Sequence, residues 1–130
     1  MYMLDTNTCI FAMKQKGRDL RRLLQHEPEE ICISSVTYAE LRCGVEKSRR
    51  RERNLMALLL FLSEITILPY DANAAEEYGV IRASLEREGT PIGPMDMLSA
   101  SHAKAAGTTV VTNNLKECRR IHALKVEDWM

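Results

Sequence analysis

A chain of 130 residues can bury a core without disulfides or a structural metal, and its mix of 45% hydrophobic and 28% charged residues is that of a soluble globular protein. Basic residues number 18 and acidic residues 18, so no net field draws the chain toward polyanions or membranes. An aromatic share of 5% excludes base stacking as the main route to nucleic acid, which leaves phosphate contacts from local clusters of charge.

Met1 to Leu4 form a short apolar run that stops at Asp5-Thr6-Asn7, and helical spacing resumes at Ile10, Phe11 and Met13 before Gly17 interrupts it. Leu20, Leu23 and Leu24 predict a second helix ending near His26. Pro28 marks the loop before a strand at Ile31-Cys32-Ile33, after which Ser34 or Ser35 caps a helix carrying Val36, Tyr38, Ala39, Leu41 and Val45. Leu55, Leu58, Leu59 and Leu62 predict an amphipathic helix over 52–64, followed by a strand at 65–68. Pro69-Tyr70-Asp71 is a turn with Asp71 as N-cap of a helix over 72–88 that closes at Gly89. The loop Thr90-Pro91-Ile92-Gly93-Pro94 restricts the backbone and delivers Asp96 into the first turn of a helix running to about Ala106. Gly107 ends that helix, Thr108 to Thr112 form a β-branched strand, Asn113-Asn114 turn, and Leu124 to Trp129 hold a last edge strand. Strands alternating with helices, without hairpin signals, predict an α/β fold: one domain over 1–130, with a parallel sheet and helices on both faces.

Cys9, Cys32, Cys43 and Cys118 lack C-x-x-C spacing and a neighbouring His pair, so they read as buried thiols of a reducing cytosol. No segment resembles a signal peptide, and the longest apolar run, Leu55 to Leu62, is too short to span a bilayer. A cytoplasmic protein without membrane contact is expected.

Asp5, Glu40, Asp96 and Glu117 are far apart in sequence, yet at least three fall where a strand gives way to a helix or just inside that helix. In an open parallel sheet such ends gather along one edge. Packed carboxylates repel unless a cation sits among them, and hard oxygen ligands favour Mg2+ or Mn2+ over Zn2+. Each acid also has a plainer reading: Asp5 as an N-cap, Glu40 as a solvent-facing side chain, Asp96 as an acid at a helix N-terminus. Their coincidence favours a metal site, with Asn114 and Glu117 as further candidates and Thr112, Asn113 and Asn114 as a supporting polar run. Ser99, one turn beyond Asp96, could bond a metal-bound water, although a surface serine is the simpler reading. His102 lies roughly 240° around the helix from Asp96 and reads as a packing histidine. Asp71 is explained by capping alone.

No Ser-His-Asp order, Gly-rich phosphate loop or H-E-x-x-H occurs, so acyl transfer, P-loop hydrolysis and zinc proteolysis lack their parts. Carboxylates with a divalent ion suit phosphodiester hydrolysis. Three basic clusters could hold flanking phosphates: Lys14, Lys16, Arg18, Arg21 and Arg22; the denser Lys47, Arg49, Arg50, Arg51 and Arg53; and Lys116, Arg119, Arg120 and Lys125. Each reads otherwise as a solvated helix face.

Taken together and in order, Met3-Leu4-Asp5-Thr6-Asn7, Ser34-Ser35-Val36-Thr37-Tyr38-Ala39-Glu40-Leu41, Gly93-Pro94-Met95-Asp96 and Val111-Thr112-Asn113-Asn114 resemble the PIN-domain ribonucleases, most closely the VapC toxins of bacterial type II toxin-antitoxin pairs. The likeness runs through to Glu127-Asp128-Trp129. It implies a three-layer α/β/α sandwich around a central parallel sheet, and a Mg2+- or Mn2+-dependent endoribonuclease. Asp5, Glu40 and Asp96 would be its acidic catalytic and metal-site residues, with Thr6 and Asn7 in support. It further implies a tRNA substrate, initiator tRNA cut in the anticodon stem-loop, and hence inhibited translation. Homodimers and a VapB antitoxin are implied too, the antitoxin covering the active site with its tail and binding operator DNA with its other end. The chain departs from the family pattern at Asn114, where many members carry a fourth aspartate, at Cys118, where an aromatic residue is usual, and at Ser99, where an aliphatic residue is typical.

Other readings stay open on the residues alone. A phosphatase with Asp5 as covalent nucleophile needs a second acid two positions on, where Asn7 stands. A non-catalytic module of the same fold, or a housekeeping RNA-processing nuclease, would keep the pattern without the toxin role.

Overall fold

The computed structural model describes residues 1–14 and 25–130. Its elements are β1 (Tyr2–Leu4), α1 (Thr6–Met13), a 3-10 turn at Pro28–Glu30, β2 (Ile31–Ser34), α2 (Ser35–Lys47) and α3 (Arg51–Leu62). They continue with β3 (Thr66–Leu68), α4 (Ala72–Arg87), α5 (Pro94–Ala106), β4 (Thr109–Val111), α6 (Leu115–Cys118) and β5 (Val126–Glu127). The helix expected around Leu20 to Leu24, and Lys16, Arg18, Arg21 and Arg22 of the first basic cluster, lie outside the described residues.

Among the described residues five strands pair in the order β3-β2-β1-β4-β5, every pairing parallel. The chain therefore starts in the middle, winds outward to β3, then crosses back to build β4 and β5 on the other side of β1. That reversal between β1 and β4 creates a crevice outside their carboxyl ends, where open α/β sheets bind ligands.

Side-chain alternation along these short apolar strands divides the core into two layers. Leu4, Ile31, Ile33 and Val111 face α1, α2 and α3 through Cys9, Leu41, Val45, Leu58 and Leu62. Met3, Cys32 and Val110 face the other way, toward Ala103 of α5. Outside α5, Ile81 and Leu85 of α4 pack on Met97 and Ala100. Both faces of the central strands are thus covered, which is why they read as nearly continuous apolar runs rather than alternating ones.

Local chemistry sets the helix ends. Asp5 Oδ1 accepts from Thr8 N at 2.8 Å, Ser34 Oγ from Val36 N at 3.1 Å and Asp71 Oδ1 from Ala74 N at 2.9 Å. Gly107 closes α5 with φ of 69°, a left-handed turn that a side chain would strain. Asp71 is thus a cap, as the sequence implies.

Two expectations need correction. Leu59 is 47% exposed, because the helix turns only Leu58 and Leu62 fully inward and leaves Leu55 half-buried, so the buried stripe of α3 is narrower than the leucine spacing suggests. Cys43 is exposed on the outer face of α2, whereas Cys9, Cys32 and Cys118 are buried. Among the described residues no helix is long and apolar enough to cross a membrane.

Trp129, 1% exposed, closes the first core layer. Its ring stacks on His26 at 5.0 Å and meets Tyr2 of β1 at 5.2 Å, while its Nε1 donates to Glu127 Oε1 at 3.2 Å. Replacing Trp129 by Ala should cost about 3–5 kcal/mol, a large part of a typical domain's stability of about 5–15 kcal/mol. Urea titration would measure it, and a loss under about 1 kcal/mol would contradict this account of the core.

Candidate active site

The residue after β1 is Asp5, whose own N–H still pairs with Val111 O at 3.0 Å. The sheet therefore fixes its backbone and the cap fixes Oδ1, leaving Oδ2 as the oxygen that can face a ligand. Thr8, which donates the capping N–H, also donates its hydroxyl to Val111 O at 3.1 Å and ties α1 to β4. Asp5 is 7% exposed, a costly position for a carboxylate without compensation.

Glu40 sits in α2, and its carboxylate turns toward α1, where Thr6 Oγ1 donates to Oε1 at a short 2.5 Å. The solvent-facing reading of Glu40 is therefore incomplete: the side chain is half-buried and held. Asp96 is the third residue of α5, half-buried, with Pro94 at the start of the helix. Asp5, Thr6, Asn7, Glu40, Met95, Asp96 and Ser99 line one cleft of about 120 Å³. The three acids that the sequence scatters over ninety positions therefore share a cleft at the switch between β1 and β4.

Ser99 is a second correction to the plain reading, since it is 7% exposed and belongs to the cleft wall rather than the open surface. Thr112 is buried and does not line the cleft; its Oγ1 accepts from Asn114 N at 3.0 Å and shapes the turn after β4. That turn places the Asn114 amide nitrogen 2.7 Å from Asp96 Oδ2 and 2.8 Å from Glu117 Oε2, so it donates to both carboxylates. Glu117 Oε2 also accepts from Gly93 N at 3.4 Å. Met95 had no signal in the sequence beyond its place next to Asp96, and the Thr6–Glu40 bond had none, since 34 positions separate the partners.

Burial at one and hydrogen bonding at the other move the two neighbouring acids in opposite directions. Burial, reinforced by the Glu117 and Asp5 carboxylates and opposed by the Asn114 amide, raises the Asp96 pKa above its usual value. The Gly93 N–H first, then Asn114 and Arg120 among others, hold Glu117 below its usual value. Cys118, behind them, has its thiol pushed up to about 12 by burial and then by Asp96, Asp5 and Glu117, and stays protonated.

His102 is a packing residue as expected: it is 3% exposed, lies edge-on to Tyr70, and its Nδ1 is 2.7 Å from Ser34 Oγ. Burial lowers its pKa. In the second basic cluster Arg51 is already bound by Glu46, with Nε at 2.5 Å and Nη2 at 2.8 Å. Lys47, Arg49, Arg50 and Arg53 are exposed at the α2–α3 corner, and Lys47 lies about 10 Å beyond Glu40 along the helix axis. Lys116, Arg119 and Arg120 are exposed on or just after α6, the helix that carries Glu117, and Arg120 Nη1 donates to Pro91 O at 2.9 Å.

Among the described residues no three His, Cys, Asp or Glu side chains form a ready-made metal cage. The charged donors lining the cleft are the carboxylates of Asp5, Glu40 and Asp96. Such a set fits a hard ion that keeps much of its water and takes only one or two carboxylates, as Mg2+ usually does.

The PIN domain family model matches residues 2–122. The tRNA(fMet)-specific endonuclease VapC of Salmonella typhimurium is 48% identical over 98% of this chain and 97% of its own length. The chain belongs to the VapC group of PIN-domain ribonucleases. A second relative, ribonuclease VapC2 of Haemophilus influenzae, is 40% identical over 99% of this chain and 98% of its own. Among solved structures, VapBC2 from Rickettsia felis bound to a promoter DNA fragment matches with a TM-score of 0.92 and 42% identity, covering 99% of this chain and 98% of that one. The α/β/α sandwich with a parallel sheet is thus the PIN fold.

With its pKa raised from 3.8, Asp96 destabilises the fold in its charged form, so its cost grows as pH rises through the folded value and vanishes in acid. In chelator-treated protein, Asp96→Asn keeps an acceptor for Asn114 and should raise Tm at neutral pH by about 2–8 °C for each kcal/mol recovered. Thermal melts from pH 7 down to pH 4 should find the two curves converging; a variant less stable than wild type at pH 7 would contradict the raised pKa.

Proposed function

We propose that the chain is a toxin whose endoribonuclease activity depends on Mg2+ or Mn2+ and whose substrate is initiator tRNA, so that its action stops translation. The observation that carries the catalytic part is the meeting of Asp5, Glu40 and Asp96 in one cleft at the carboxyl edge of the sheet. Identity of 48% to a tRNA(fMet)-specific endonuclease supports the choice of RNA.

In this reading Asp5 Oδ2 and the Asp96 carboxylate would hold the ion, and the cap on Asp5 Oδ1 keeps that side chain in one rotamer. Such an ion, when bound, would supply a polarised water for in-line attack and offset the charge that develops as the P–O bond to the leaving oxygen breaks. Glu40, with Oε1 held by Thr6, presents Oε2 to take the proton from the attacking water. The Asn7 amide and Ser99 hydroxyl, both on the cleft wall, are donors for non-bridging phosphate oxygens. Thr112 acts indirectly by setting the Asn114 turn. Lys116 and Arg119, near Glu117, engage the adjacent phosphates, while Lys47, Arg49, Arg50 and Arg53 serve phosphates further along the RNA; Arg51 is occupied by Glu46.

The partners that go with this reading are a VapB-type antitoxin, as in the Rickettsia felis complex, a second copy of the chain, and operator DNA reached only through the antitoxin. The cytoplasm, where charged initiator tRNA is found, is the place of action.

Asp5→Asn is the sharpest test, because asparagine caps a helix as well as aspartate does and only the charge is lost. Asp5→Asn and Asp96→Asn should each lower RNA cleavage on the order of 100-fold or more while circular dichroism stays unchanged. Mapping RNA 5′ ends after brief expression should find cuts confined to one tRNA species in the wild type, and chelation should abolish cleavage in vitro. Matching cut patterns in wild type and Asp96→Asn would overturn the catalytic assignment.

A further inference from the structure

Two carboxylates that approach each other need something positive between them, and between Asp96 and Glu117 that group is a neutral amide. Both hydrogens of Asn114 Nδ2 are used, at 2.7 Å to Asp96 and 2.8 Å to Glu117, and the Asn114 backbone N–H is anchored on Thr112 at 3.0 Å. The residue is therefore fixed at its root, and both hydrogens of its amide nitrogen are engaged at its tip. Glu117 is drawn away from the cleft by Gly93 N, and it does not line the cavity that Asp5, Glu40 and Asp96 share.

We propose that the Asn114 amide stands where a second cation would otherwise be required, so that the cleft takes a single divalent ion on Asp5 and Asp96. This rests on the metal-dependent reading given under the proposed function. Asn114 is a positioning residue: it orients the Asp96 carboxylate toward the ion site and keeps Glu117 as a brace. An aspartate at position 114 would bring a third carboxylate against Asp96 and Glu117 and remove the amide that donates to both, and that charge would demand a cation of its own.

Isothermal titration of Mn2+ alone into chelator-stripped protein tests this without reference to catalysis. Wild type should bind one ion per chain, and Asn114→Asp should bind two. Asn114→Ala should still bind one, with affinity lowered about 10- to 100-fold, the usual consequence of removing a group that orients a metal ligand. In cleavage assays the same Asn114→Ala protein should need more Mn2+ for half-maximal rate, yet recover its kcat at saturating Mn2+; damage to the fold would lower kcat at every concentration. Two ions in the wild type, one ion in a folded Asn114→Asp, or unchanged affinity in Asn114→Ala would each overturn the brace. The wild-type count and the alanine variant decide the matter even if Asn114→Asp does not fold. Absence of any Mn2+ binding by the wild type would instead strike down the metal-dependent reading on which the brace depends.

Discussion

Everything in this molecule is arranged around an electrostatic difficulty: acids from four separate segments are brought to one edge of a low-dielectric sheet, where they repel. The fold reduces that cost piece by piece. Asp5 is bonded by a backbone N–H at the start of α1, Glu40 by the Thr6 hydroxyl, Asp96 and Glu117 by the Asn114 amide, and Glu117 again by Gly93. Each bond also fixes a rotamer, so the devices that make the charges tolerable are those that aim them. What remains uncompensated, most visibly at Asp96, is burial and the push of the neighbouring carboxylates, which together raise its pKa.

The strand order explains why the difficulty arises at this edge. Beginning in the centre of the sheet and reversing between β1 and β4 opens a crevice that neither half of the chain could form alone. One half contributes Asp5 and Glu40; the other contributes Asp96 and the Asn114 brace. The shared cleft is consequently a property of the whole sandwich, and its rigidity is that of the central strands, buried on both faces.

The sequence was legible where local rules decide. Short apolar runs, helical spacing, the caps at Asp5, Ser34 and Asp71, and the glycine stop at 107 locate the strands and the longer helices, while the short helix Leu115–Cys118 had no such signal. The convergence of Asp5, Glu40 and Asp96 could be argued too, because parallel sheets put strand ends on one edge. Illegible were the contacts that depend on which helix faces which. Leucine spacing in α3 could not reveal that Leu59 points outward, nor could α2's pattern reveal that Cys43 is exposed. Ser99 looked like a surface residue because its burial depends on the neighbouring wall of the cleft, supplied from α1 and α2. Arg51 looked available for phosphate because its partner, Glu46, lies on the preceding helix and the corner between them had to be built first.

The long reach of the pairing between the segment around Asp5 and β4 has a consequence for synthesis. Thr8 and Val111 are hydrogen-bonded although 103 positions separate them, so at bacterial elongation rates roughly 5 to 20 s pass between their appearances. Throughout that interval the segment around Asp5 lacks the neighbouring strand that later fixes it, and the cleft that the sheet's two halves share is still to be assembled.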